Sequence, residues 1–124
     1  MRLILSLAVL LLSVLPSCVT KPQRDVHISI ESTAAPRVHV LSYDCFVNDS
    51  GTLTFVMELK NCSREYTEFE YRVDWLRDGS IPVDTLLSNW KAIGLAGEEV
   101  AWIKLPAPNA HVSDYRFHLR RVIK

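Results

Sequence analysis

Apolar residues recur at period two along the body of the chain, and this constrains the fold more than any other feature. Leu53, Phe55, Met57 and Leu59 alternate with Thr54, Val56, Glu58 and Lys60, and Phe69, Tyr71, Val73 and Trp75 alternate with Glu70, Arg72 and Asp74. Side chains of a strand point alternately to its two faces, so these are half-buried strands. Tyr115, Phe117 and Leu119 against Arg116, His118 and Arg120 repeat the pattern, as do Ala101, Ile103 and Leu105 against Val100 and Trp102. No long stretch carries helical period.

Turn-forming residues fall between these runs at Asn48-Asp49-Ser50-Gly51, Arg77-Asp78-Gly79, Ala96-Gly97 and Pro106-Ala107-Pro108-Asn109. That spacing predicts consecutive antiparallel strands. About seven short strands without helical crossovers point to an all-β, immunoglobulin-like antiparallel β-sandwich over residues 37–124, with a small barrel as the alternative. In the first hairpin, matching apolar faces pairs Val47 with Leu53, Cys45 with Phe55, Tyr43 with Met57 and Leu41 with Leu59, around the five-residue loop Asn48 to Thr52. Trp75 and Trp90 are expected to supply large core area.

The same register turns Cys45 inward and places Cys62, beyond Asn61, one residue out of phase. A Cys45–Cys62 bridge would need a bulge or bend to bring the Cα atoms within about 7 Å. Both thiols are therefore expected to be reduced.

Before the body lies a leader. Met1-Arg2 is a short basic start, Leu3 to Leu15 is an uncharged run, and Pro16-Ser17 precedes Cys18. This is the layout of a secretory signal, and the run is well short of the roughly 20 residues of a spanning helix. Leu15-Pro16-Ser17-Cys18 resembles a bacterial lipobox, whose cysteine receives lipid before the leader is cut. Pro16 departs from the usual small residue. Residues 1–17 are thus read as a lipoprotein signal peptide, and Cys18 as a site of lipidation with palmitate among its acyl chains. Residues 18–36 are read as a tether with an edge strand at Val26 to Ile30. Val19 in place of Asp after the cysteine implies the periplasmic face of the outer membrane. Cys18 also accounts for the odd count among the three cysteines.

The stretch from Leu53 to Arg121 resembles the YcfL family of bacterial periplasmic lipoproteins, a family without an established biochemical activity. The residues carrying the resemblance are Asn61, Tyr71-Arg72-Val73 running into Trp75, Asp78-Gly79, Trp90, Ala107-Pro108 and Tyr115-Arg116. Leu76-Arg77 stands where the family commonly has an aromatic residue and Asp. The resemblance implies a plan of leader, lipobox, short tether and one β domain.

Chemistry-bearing motifs are sparse. The 14 basic and 14 acidic residues balance, which gives no attraction for nucleic acid. His27, His39, His111 and His118 lack metal-ligand spacing, so no metal or other cofactor is expected. No G-x-S-x-G elbow or phosphate-cradling glycine loop occurs, and the expectation is a protein that is not an enzyme. Asp74 with Asp78, or Glu98 with Glu99, would serve glycoside hydrolysis only if held about 5 to 9.5 Å apart. Arg116, His118, Arg120 and Arg121 give the last strand a basic face, read as a charge-protected edge or as a surface for a carboxylate-bearing partner.

Trp90, Trp102, Arg116 and Arg120 are accordingly the candidate binding surface. The expected function is a lipid-anchored binding or structural module that docks an envelope protein or peptidoglycan, with the Gly94 to Glu99 loop as a further docking element. The alternatives are a carbohydrate-active accessory of the cell wall, with Trp90 or Trp102 as a sugar platform, and a secreted glycoprotein modified at Asn48 or Asn61, which stand in N-x-[ST] patterns.

Overall fold

A computed structural model describes residues 27–123. The expected leader, Cys18 and the expected tether before His27 lie outside the described residues. Eight strands follow in order: β1 Ile28–Ile30, β2 Val38–Val47, β3 Leu53–Asn61, β4 Thr67–Arg77, β5 Ile81–Pro82, β6 Lys91–Leu95, β7 Val100–Pro106 and β8 Asp114–Arg121. They form two sheets. One runs β1-β8-β4, with β5 and β6 both paired to the far side of β4, and the other runs β2-β3-β7.

The expected all-β sandwich is therefore what the chain forms, with eight strands and one parallel pair. That pair joins β1 to β8 in the register Ile28↔Phe117 and Ile30↔Leu119. It needs no short crossover, because the rest of the domain connects the two strands. Val26 to Ile30 was expected as an edge strand, and β1 occupies that edge.

The alternating residues meet in one core. Phe55, Met57, Leu59 and Ile103 face Phe69, Val73, Trp75, Phe117 and Leu119, all buried. Phe55 and Phe117 bridge the two sheets with ring centroids 5.3 Å apart, and Tyr115 lies 5.0 Å from Phe55. Such offset aromatic pairs add to the stabilisation from buried area.

The first hairpin has the expected register as far as Tyr43↔Met57, but Val40 rather than Leu41 then opposes Leu59. A bulge between Val40 and Ser42 reverses the phase of β2, and Leu41 is 43% exposed. An extra residue in one strand of a ladder has this effect. Two backbone hydrogen bonds help hold the loop, Asn48 N–H to the Thr52 carbonyl at 2.8 Å and Gly51 N–H to the Asn48 carbonyl at 3.0 Å. Asp78 and Gly79 both have positive φ (49° and 88°), and there the Asp-Gly pair turns β4 into β5.

At one end of the sandwich the β3–β4 loop and the β6–β7 turn touch through backbone. Glu98 N–H donates to the Ser63 carbonyl at 3.0 Å. A Cβ on Gly97 would collide with the Arg64 carbonyl oxygen. Gly97→Ala should cost about 1–3 kcal/mol, because backbone has to move to accommodate it. Gly94→Ala should cost much less, since there the obstacle is the hydroxyl end of the exposed Tyr66 side chain. Urea denaturation of the two variants makes the comparison.

Candidate functional site

The outward face of the first sheet carries a cluster of paired charges. Cross-strand register sets Glu70 opposite Arg120, Arg72 opposite His118 and Asp74 opposite Arg116. Trp90, immediately before β6, lies beside them. The Arg120 guanidinium carbon is 3.8 Å from the Trp90 ring centroid, that of Arg72 is 4.8 Å away, and the His118 ring is tilted at 6.5 Å. A cation over the face of tryptophan is attracted by the ring quadrupole.

Each arginine is also paired with a carboxylate. Arg120 places Nε and Nη2 each 2.7 Å from Glu70 Oε2. Arg72 donates from Nη2 to Asp74 Oδ2 at 3.2 Å. Its Nε stands 3.0 Å from Oδ1 but makes no well-angled hydrogen bond, so that contact is ionic. His118 Nε2 lies 2.9 Å from Asp74 Oδ2. The result is a largely neutralised surface of guanidinium and indole, able to stack on or hydrogen-bond a partner.

Two expectations are corrected here. Trp90 is not a core residue: it lies half-buried on the outer face under two arginines. β8 is not an edge strand either, being flanked by β1 and β4. Of its basic residues, Arg120 and His118 reach the β4 carboxylates Glu70 and Asp74, so they do not guard a free margin. The alternation of β8 placed its charges on the correct face, but nothing local to β8 indicated that β4 supplies their partners.

The sequence-derived candidates divide between the two sheets. Trp90 and Arg120 are in contact, and Arg116 shares their face, exposed and without an ion pair to any described residue. Trp102 is 63% exposed on the outward side of the second sheet, opposite Glu58, and cannot share a platform with Trp90. His118, already read as part of the basic face of β8, joins the cluster, and Glu70 and Arg72, not among the candidate binding residues, complete it. Their matching positions on paired strands were the available signal.

The other candidates have local roles. Glu99 accepts a 2.6 Å hydrogen bond from Ala96 N–H in the β6–β7 turn. Asn61 is wholly buried, and its Nδ2 donates to the Glu65, Leu95 and Ala96 carbonyls at 2.9, 3.0 and 3.1 Å. The nitrogen a glycan would need at Asn61 is therefore engaged inside the fold. Among the described residues no three of His, Cys, Asp and Glu gather as a metal site.

The cysteines depart in part from expectation. Cys45 is free and unbridged to Cys62, as its strand phase implied, but Cys62 is disulfide-bonded rather than reduced. Its partner lies outside the described residues, beyond the reach of a phase argument confined to β2 and β3. Burial, with Asp44 and Asp114 nearby, pushes the Cys45 thiol up from 9.0 to about 11. The folded chain thus holds this proton more tightly than the unfolded chain. The resulting stabilisation is complete below pH 9.0 and is lost as pH rises toward about 11. Urea midpoints of the wild-type chain should fall over that interval more steeply than those of Cys45→Ala, and equal slopes would refute the assignment.

The comparisons place this architecture in a family. The family described as "Protein of unknown function (DUF1425)" matches residues 26–121. The chain belongs to it. Two solved structures are similar to this DUF1425 member. One is Campylobacter jejuni cj0090, at TM-score 0.68 and 18% identity, covering 79% of this chain and 100% of that one. The other is a DUF1425 family member from Shewanella sp. pv-4, at TM-score 0.62 and 20% identity, covering 70% and 80% respectively. At these identities the likeness speaks for the fold alone. The search of curated proteins found no match.

Proposed function

We propose that this DUF1425 protein is an outer-membrane lipoprotein of the YcfL type, held at the periplasmic face through lipid on Cys18, and that its sandwich is a non-enzymatic docking module. The observation that carries the docking role is the stack of Arg72 and Arg120 over Trp90 on an open sheet face. Tryptophan and arginine are the side chains most enriched where binding energy concentrates. The neighbouring Arg116 is exposed and lacks an ion pair with any described residue, so it suits a carboxylate on a protein partner. The titratable groups of this face pair with one another, an arrangement suited to recognition more than to proton transfer.

Photo-crosslinking from position 90 in the native envelope tests the docking surface. Capture of one protein, lost on Arg120→Glu, is the expected result. Recovery of peptidoglycan fragments alone would replace this reading with the carbohydrate-active one.

The intact mass of the native protein tests the anchor. Absence of lipid from Cys18 overturns the anchor.

A further inference from the structure

β7 is an edge of the second sheet, paired among the described residues with β3 alone. Two hydrogen bonds just beyond its ends establish which of its residues face the free side. Asn61 N–H donates to the Glu99 carbonyl at 2.9 Å, and Ala107 N–H donates to the Leu53 carbonyl at 2.8 Å. Between them the register runs from Thr54↔Pro106 to Lys60↔Val100 without a break. Hydrogen-bonded and non-hydrogen-bonded pairs alternate in an antiparallel ladder, so odd-numbered residues of β7 bond to β3. Val100, Trp102 and Lys104 therefore turn their N–H and C=O groups to the open edge.

The same three residues, with Pro106, have their side chains on the exposed outer face. Val100 is 44% and Trp102 63% exposed, and Lys104 and Pro106 are exposed as well. Lys104 makes no ion pair with a described residue. Trp102 has Glu58 across from it on β3, and Lys104 has Val56.

We propose that β7 pairs antiparallel with β7 of a second copy of this chain, about a twofold axis at Ile103. In that register each open residue meets a complement. Trp102 lies beside Lys104 of the other copy, and Val100 lies beside its Pro106. Trp102 and Lys104 can exchange backbone hydrogen bonds in both directions. Val100 N–H can donate to the Pro106 carbonyl, the one group proline still offers. Each lysine stands against a tryptophan whose other neighbour is Glu58, so cation, indole and carboxylate form a row across the interface. A shift to Trp102 against Trp102 would set Val100 against Lys104 and lose this match. The pairing is isologous, so every substitution acts twice.

Lysine and proline on an edge strand also serve to prevent pairing, and charge reversal separates that role from this one. Sedimentation velocity of the detergent-purified full chain should show a concentration-dependent dimer. Lys104→Glu should weaken it by about tenfold or more. The double variant Trp102→Lys/Lys104→Glu should restore it, since opposite charges again face each other in this register alone. Thermal unfolding of each variant distinguishes lost pairing from lost fold. A monomer at all concentrations, or a dimer indifferent to Lys104→Glu, overturns the proposal. A dimer weakened by Lys104→Glu and not restored by the double variant overturns the register.

Discussion

Asn61→Leu should destabilise the protein by about 3 kcal/mol or more, seen as a lower urea midpoint. Leucine fills a similar volume but leaves the groups around Asn61 unbonded. The side chain's two N–H groups serve three carbonyls, from Glu65, Leu95 and Ala96. Its Oδ1 accepts from Ser63 N–H at 3.0 Å and Ser63 Oγ at 2.8 Å. Each buried polar group stranded without a partner costs about 1–3 kcal/mol. Ser63→Ala removes one hydroxyl, a donor to Asn61 Oδ1 and an acceptor for the Glu65 N–H, and should cost about 1 kcal/mol. If the two variants proved equally mild, Asn61 would not be what ties the β3–β4 loop to the β6–β7 turn.

Trp75→Ala should cost about 3–5 kcal/mol, the range for removing a large aromatic from a packed core. Trp75 is 1% exposed and pairs in register with Tyr115 on β8. Trp90→Ala should cost about 1 kcal/mol, mainly through its contacts with Arg72 and Arg120. Similar losses at the two positions would mean that Trp90 is buried after all. Thermal unfolding distinguishes the two outcomes, and crosslinking from the Trp90 face reads its binding role separately.

That contrast shows what local pattern conveys. Trp75 sits in an alternating run, and its inward direction follows from Phe69, Tyr71 and Val73. Trp90 belongs to no such run, so its size alone suggested core, and only the tertiary arrangement sets it against Arg72 and Arg120. The first hairpin was legible down to Tyr43↔Met57 because its apolar residues match across a short loop. The bulge was not legible, because Val40 and Leu41 are both apolar and either could have faced inward. β6 was missed for a related reason: Lys91-Ala92-Ile93-Gly94-Leu95 has too few strong alternating residues to mark a strand. The polar cluster of Glu70, Arg72, Asp74, His118 and Arg120 became visible only once β4 and β8 were neighbours, which is a long-range property.

The parallel pairing of β1 with β8 bears on how such a chain could be delivered. Ile28 pairs with Phe117, so the sheet closes only when nearly the last residues are present. A chain threaded through a narrow pore from its first residue presents β1 long before β8. Non-local pairing is slow because the intervening loop must close before the contacts form. Until the tail arrives, β1 has no ladder to join and the Phe117 side of the core is missing. The topology itself thus postpones completion of the first sheet until β1 and β8, far apart in sequence, are both available.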